Sequence, residues 1–265
     1  MKKYFNFKSL SMFILISFFY LPIVYVIFFS FNSTRSLNHF ENFSLQWYER
    51  MFADRALVQA LYYTVIIALI ATFVSTIFGT IAAIGLSKSR KLLKESVSQL
   101  NNLSMMNPEI VTGISLMLFF SSLNIRPGFM TLLLAHIIFC IPYVMLSIGP
   151  KLRQLDDNIA EASLDLGCTP LQALYKVIIP QITPGIISGA LIAFTMSFDD
   201  FVISYFVTGP GVDNISTYVY SSVKRINPTV YSLSSIIVLV ITLVLIIINV
   251  IPLITDKKRK MKEQI

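Results

Sequence analysis

Charged residues are the scarcest class in this sequence. Asp, Glu, Lys and Arg together make up 13% of the 265 residues, whereas a soluble globular domain carries roughly 25%. The hydrophobic residues reach 55%. This balance excludes an ordinary soluble domain. Continuous apolar runs of about 18 residues or more are typical of transmembrane helices, so the fold class that we predict is an all-α polytopic membrane protein.

Cysteine is nearly absent, and the common nucleotide-binding motif is missing. We place the two cysteines, Cys140 and Cys168, in a span and in a cytoplasmic loop, so we expect no disulfide. No Cys/His cluster indicates a metal site, and we expect no catalytic residues and no cofactor. Because no G-x-x-x-x-G-K-[ST] stretch occurs, we expect that the chain does not hydrolyse ATP. The net charge of +7 is better explained by basic loops beside the membrane than by nucleic acid.

Six segments are long and apolar enough to cross about 30 Å of hydrocarbon. The first follows Met1-Lys2-Lys3, and we expect it to be retained, because it is too long for the core of a signal peptide. The predicted spans are Leu10–Phe31, Leu57–Leu86, Ser104–Leu123, Met130–Pro150, Gln181–Thr208 and Tyr231–Ile254.

Basic residues choose the orientation of these spans. With six spans, 15 of the 21 Lys and Arg residues fall on the side of both termini, which predicts cytoplasmic termini. We divide the chain into residues 1–56 (first span and outer loop), 57–254 (transmembrane domain) and 255–265 (basic cytoplasmic tail). In the first outer loop, Trp47 belongs to an amphipathic pattern that is expected to lie at the membrane interface.

The predicted cytoplasmic loop 151–180 contains residues that are typical of helix starts and helix stops. Asn158 is placed to cap a helix over Ile159–Leu166, and Gly167 is a natural stop. Thr169-Pro170-Leu171-Gln172 is a capping box that opens a second helix, which we expect Pro180 to end. Small residues (Ala160, Ala162, Ser163) give the first helix a low surface, on which Glu161 and Asp165 share a face. Two interpretations stay open: a docking helix for a partner, or an inert surface loop.

Acidic residues inside the membrane are costly and therefore functional candidates. Asp199 and Asp200 fall within the predicted fifth span, and Glu109 follows Pro108 in the third. A cation-binding pathway is one interpretation of the pair, and an interfacial acid pair or a subunit contact is the other. Glu109 serves the pathway, caps its helix or pairs across a subunit interface. His136, in the fourth span, is expected to be a packed, hydrogen-bonded residue.

The spacing of the 151–180 loop resembles the "EAA" loop of ABC importer permeases. Glu161-Ala162-Ser163, three residues, Gly167, nine residues and Val177-Ile178-Ile179-Pro180 match that pattern with three mild replacements, at 163, 177 and 179. The resemblance implies the type I importer (MetI-like) fold over residues 57–254 in a bacterial inner membrane. It also implies a partner permease, and a separate ATPase on which the loop docks as a coupling helix. The coupling residues would be Glu161, Ala162, Ser163, Asp165, Gly167 and Pro180.

A second resemblance concerns the solute. Ser197-Phe198-Asp199-Asp200-Phe201, followed by Phe206-Val207-Thr208-Gly209-Pro210, resembles the spermidine/putrescine importer permeases, and most of all their second, C-type subunit. It implies that an extracytoplasmic solute-binding protein delivers the polyamine. The pathway residues that it implies are Trp47, Glu109, Ser197, Asp199 and Asp200. Three alternatives stay open: an importer of another solute (thiamine, ferric ion or amino acid), a stand-alone secondary transporter or channel, and a membrane scaffold.

Overall fold

The chain is helical wherever its regular structure is described, apart from one isolated bridge between Asn32 and Phe43. A computed structural model describes residues 7–36, 38–156, 158–223, 228–243 and 246. Two compact units are present: Met1–Val58 with Val219–Ile265, and Gln59–Tyr218.

The first unit contains the N-terminal helix and a capped outer segment. Helix α1 (Phe7–Phe29) is apolar around its whole circumference, as a lipid-facing helix is. The Asn32 side chain ties the following loop together, donating to the carbonyls of Ser36 (2.9 Å) and His39 (2.8 Å). Helix α2 (Gln46–Ala53) follows that loop.

The second unit holds most of the remaining helices. Its main packing pairs are α6 with α9, α5 with α10, and α6 with α10, followed by α4 with α6. In chain order the helices after α2 are α3 (Arg55–Ser87), α4 (Lys91–Met106), α5 (Glu109–Ser122), α6 (Phe129–Gln154), α7 (Ile159–Asp165), α8 (Pro170–Ala173), a π-helical turn (Leu174–Ile178), α9 (Ile179–Phe198), α10 (Val202–Val207) and α11 (Ile215–Val223), which begins in this unit. A further helix, α12 (Pro228–Leu243), belongs to the first unit.

Helix α6 is the centre of the second unit, and glycines let α9 approach it closely. A Cβ on Gly189 would lie 3.2 Å from the Val144 Cα, and one on Gly185 would lie 3.3 Å from the Ile148 Cα. These glycines are four residues apart and therefore share one face of α9. Small residues at such spacing let helices pack backbone to backbone in membranes, so α6 and α9 form a rigid pair.

Two of the predicted spans are interrupted. The predicted third span begins inside α4, and the chain bends by 105° at Asn107-Pro108 before α5 starts. The residue before a proline avoids helical angles, and Asn107 is extended with ψ 137°. The predicted fifth span stops at Phe198 and resumes as α10. The prediction of one continuous helix for the third span, and of another for the fifth, is therefore wrong.

The number of spans is only partly described. Four helices pass as membrane-spanning by length and composition, and the bent α4–α5 pair adds a fifth. The predicted sixth span is described as α12 up to Leu243. Its remainder, apart from residue 246, and the basic tail 255–265 lie outside the described residues. Six spans therefore stays a prediction.

Candidate functional site

The break between α9 and α10 is built around the Asp200 carboxylate. Its Oδ1 accepts a hydrogen bond from the Ile203 N–H (3.2 Å). Its Oδ2 accepts from both the N–H (2.8 Å) and the hydroxyl (2.7 Å) of Ser204. A carboxylate that receives N–H groups of the first helical turn stabilises a helix start. Asp200, the residue before the N-cap Phe201, therefore holds the start of a new helix where the predicted span was continuous.

His136 of α6 joins both sides of this break. Its Nδ1 lies 2.7 Å from the Ser197 Oγ at the end of α9, and its Nε2 lies 3.0 Å from the Ser204 Oγ on α10. Nε2 is also 3.5 Å from the Asp200 Oδ2. His136 is 2% exposed and Asp200 7%. The expectation that His136 is packed and hydrogen-bonded is confirmed, and its partners belong to the candidate site.

Asn214 closes the network from the other side. Its amide donates to the Asp200 carbonyl (2.9 Å) and to the Ser204 Oγ (2.7 Å). Its Oδ1 accepts from the Thr217 N–H (2.9 Å), which caps the start of α11. The next residue, Ile215, donates its N–H to the Thr64 Oγ1 of α3 at 2.8 Å. Helices α3, α6, α9, α10 and α11 therefore meet through one buried polar network.

The two neighbouring aspartates have different surroundings. Asp200 is buried and its oxygens are occupied by the contacts above, whereas the Asp199 side chain is exposed. Asp199 is the C-cap of α9, where its N–H bonds to the Thr195 carbonyl (3.2 Å). Asp199 is thus the carboxylate of the pair that is open to a solute.

Glu109 lies at the first position of α5, directly after the Pro108 break, and is exposed. Four residues further along α5, Gly113 lies against α10: a Cβ there would be 2.9 Å from the Phe206 Cδ2. The helix that starts at the third-span break therefore packs against α10, the helix that follows the fifth-span break. No group of three His, Cys, Asp or Glu side chains in the described ranges has the arrangement of a metal site.

Trp47 does not present an open aromatic face. It is 4% exposed on α2, its Nε1 donates to the Asn32 carbonyl (2.6 Å), and the Arg50 guanidinium lies 4.7 Å from its ring centre. The Trp47 ring is packed and hydrogen-bonded, and on the same helix it is Phe52 that is exposed. The position of this segment at the membrane interface stays a prediction. Trp47 lies in the first unit, unlike the other candidate pathway residues.

The 151–180 loop contains a first helix where its capping and stop residues predict one. Helix α7 ends at Asp165, and Gly167 follows with φ +87°, the left-handed conformation of a helix stop. The Thr169–Gln172 capping box is confirmed, with bonds of 3.0 and 3.3 Å. The Asn158 side chain, however, makes no capping bond; instead the Asp156 carboxylate accepts from the Asn158 N–H (3.0 Å).

Two expectations for the coupling residues are wrong in detail. Pro180 does not end the second helix, because the path from Pro170 to Phe198 continues through a π-helical turn and Pro180 occupies the first turn of α9. Missing N–H groups are tolerated in a first turn. Ser163 is buried, so it is absent from the exposed surface, which Glu161, Ala162 and Asp165 do present.

Sequence reasoning missed Ser204, Asn214 and Thr64. Ser204 is four residues after Asp200, a spacing that allows a local side-chain bond, and this signal was readable in the sequence. The roles of Asn214 and Thr64 depend on contacts with residues far along the chain, 151 residues apart in the case of Thr64 and Ile215. No local pattern marks such contacts.

Broken, apolar helices around buried polar residues are typical of membrane transport proteins. Residues 75–258 match the family "Binding-protein-dependent transport system inner membrane component". The chain belongs to this family, and it is a multi-pass protein of the inner membrane.

Curated relatives cover nearly the whole chain. The spermidine/putrescine transport system permease protein PotC of Haemophilus influenzae is 37% identical over 91% of this chain and 94% of its own length. The putrescine transport system permease protein PotI of Escherichia coli is 36% identical over 83% and 82%. A PotC homolog of Mycoplasma genitalium is 33% identical over 98% and 96%.

Solved structures share the fold. A bacterial ABC transporter that imports the acidic polysaccharide alginate matches with a TM-score of 0.71 at 17% identity, over 92% of this chain and 94% of that chain. The methionine ABC transporter MetNI matches with a TM-score of 0.60 at 20% identity, over 74% and 94%. Both are ABC importers, so the chain has the type I importer permease fold. Because their solutes differ, the fold by itself does not select the solute.

Proposed function

We propose that this chain is a permease subunit of an ATP-driven importer for spermidine and putrescine. The Asp199 carboxylate, exposed at the break between α9 and α10, is the observation that carries the proposal. Relatives that are named for polyamine transport support it.

Polyamines carry several ammonium groups, and the arrangement at the break suits such a solute. An ammonium group that leaves water needs a carboxylate partner, and Asp199 and Glu109 are exposed acids at the two helix breaks. Asp200 is committed to the first turn of α10 and holds the break instead. Ser197 bonds to His136 and acts in the same supporting role. On this proposal Trp47 stabilises the outer loop and does not touch the solute.

Helix α7 is the proposed contact through which ATP hydrolysis by a partner drives transport. We propose that the exposed residues Glu161, Ala162 and Asp165 dock on a separate cytoplasmic ATPase, and that Gly167 and the Thr169 cap hold α7 at the angle that docking requires. A second permease subunit and an extracytoplasmic solute-binding protein complete the importer. Both termini of this chain would then be cytoplasmic, as the distribution of basic residues predicts.

Replacing Asp199 with Asn tests the solute site. We expect uptake of radiolabelled spermidine, per assembled transporter, to fall at least about tenfold, because one charge–charge interaction of about 1.4 kcal/mol or more is lost. The matched control is Asp213→Asn, an exposed aspartate of the same unit, which should leave uptake unchanged.

The outcome separates the proposal from its rivals. Unchanged uptake by the Asp199→Asn transporter would remove the cation-site argument. Spermidine uptake driven by an ion gradient without the ATPase would instead make the chain a secondary transporter.

A further inference from the structure

We infer that His136 is a positioning residue for transport: its ring fastens the break between α9 and α10 and thereby sets where the Asp199 carboxylate lies. The inference rests on the proposed function, because it assumes that Asp199 meets the solute. It assigns a role to a side chain that itself is buried and touches no solute.

The hydrogen bonds of Ser204 determine which nitrogen of the His136 ring is a donor. The single hydroxyl hydrogen of Ser204 is donated to the Asp200 Oδ2, and Asn214 donates to the Ser204 oxygen. The Ser204 oxygen therefore has one acceptor position left, and His136 Nε2 at 3.0 Å must be the donor. On its other side, Nδ1 bonds to the Ser197 hydroxyl at 2.7 Å. One ring thus donates to α10 and bonds to the end of α9.

These contacts hold the chain on both sides of Asp199. Ser197 precedes Asp199 by two residues, and Asp200 and Ser204 follow it. The α9 helix ends at Phe198 and α10 begins at Val202, so the regular helix is interrupted between them. The side-chain bonds of His136, Asp200 and Asn214 replace that continuity. Loss of the ring would let the two helix ends move independently and carry Asp199 with them.

A matched pair of variants separates positioning from general packing. His136→Leu removes both ring bonds. Thr131→Val removes another buried bond of α6 to α10, that of the Thr131 hydroxyl to the Val207 carbonyl (2.8 Å), away from the break, together with the Thr131 bonds to the Gly128 backbone. In the complete transporter, we expect His136→Leu to lower spermidine uptake per assembled complex about tenfold, because the Asp199 carboxylate is no longer held in place. Thr131→Val also loses buried hydrogen bonds but leaves the break intact, so it should change uptake per assembled complex less than about twofold.

Conservative variants give a readout that a purely structural residue would not. A Gln amide at 136 can reproduce the Nε2 donor to Ser204, whereas an Asn amide is shorter and reproduces only the Nδ1 side. We expect His136→Gln and His136→Asn each to restore part of the uptake, because each amide keeps one of the two ring contacts. This comparison also keeps the inference testable if the Leu variant does not assemble.

Coupling to Asp199 completes the test. Asp199→Glu keeps the charge but displaces the carboxylate, so we expect His136→Leu to cost less in that background than in the native one, while the cost of Thr131→Val stays the same. The inference is overturned if His136→Leu and Asp199→Glu act independently, if Thr131→Val costs as much as His136→Leu, or if neither His136→Gln nor His136→Asn restores uptake above that of His136→Leu. If Asp199→Asn itself leaves uptake unchanged, both the inference and the proposed function fail. If only Asp199→Asn lowers uptake, the proposed function stands and the inference alone fails.

Discussion

Neighbouring carboxylates of identical chemistry do different work in this protein. Asp200 is buried with three hydrogen bonds from Ile203 and Ser204, whereas Asp199 is exposed at the end of α9. Consecutive residues of a helix point about 100° apart, and the break separates the two side chains further. Burial, and not residue type, divides the pair into a structural acid and a candidate solute ligand.

Asp200→Asn is therefore expected to damage the fold more than the solute site. The Asn amide offers hydrogens where the backbone N–H groups and the Ser204 hydroxyl also donate, leaving buried donors unsatisfied at a cost of about 1–3 kcal/mol. We expect a lower apparent Tm of the purified transporter in detergent and less assembled complex in the membrane. Asp199→Asn is the control, with stability changed by no more than about 0.5 kcal/mol. Equal Tm values for the two variants would contradict this division of roles.

At the scale of single elements, capping residues define the short helices of the 151–180 loop. Helix α7 has seven residues, too few to be stable as an isolated helix. Its ends are instead set by the Asp156 carboxylate on one side and by Gly167 on the other. The Thr169–Gln172 capping box then starts the next helix, α8. Local capping chemistry, repeated within a few residues, gives this loop its defined shape.

Gly167→Ala tests whether that shape is needed for coupling. An L-residue in the left-handed conformation costs about 1–2 kcal/mol, so the α7 stop should loosen. We expect the ATPase activity stimulated by loaded solute-binding protein to fall about 5- to 30-fold, the population change that such an energy produces.

Gly149→Ala is the matched control for this substitution. Gly149 lies within α6, and a Cβ there meets nothing within 4 Å. Stimulated ATPase activity that is as high in the Gly167→Ala transporter as in the Gly149→Ala transporter would show that the left-handed stop is not required.

At the scale of the whole molecule, the described helices alternate with loops that must lie on opposite sides of the membrane. Basic residues predict that α7 faces the cytoplasm and that the loop before α2 faces outward. This assignment decides which surface meets an ATPase and which meets a solute-binding protein.

Native cysteines make that topology directly measurable. Cys168 follows Gly167 and is half-buried, whereas Cys140 is fully buried. A membrane-impermeant maleimide added to intact cells should leave Cys168 unmodified and should modify it after permeabilisation. In a Cys168→Ser background, cysteine introduced at the exposed Glu41 should react in intact cells. Modification of Cys168 from outside would reverse the orientation.

Sequence by itself determined the membrane class, most helix positions and the capping chemistry of the 151–180 loop. Each of these depends on residues within about four positions of one another or on the apolar content of a run. The Thr169–Gln172 box and the Gly167 stop are examples, and both are present. The Asp200–Ser204 bond is equally local and was readable, but the surrounding apolar run suggested a continuous helix.

Only the tertiary structure decided which acid is open and what holds the break. His136 meets Ser197 and Ser204 across 61 and 68 residues of sequence, and Thr64 meets Ile215 across 151. Trp47 is likewise buried by a contact with Asn32, 15 residues away. Burial and long-range hydrogen bonds depend on how helices pack, and helical periodicity carries no information about which partner a buried polar side chain will find.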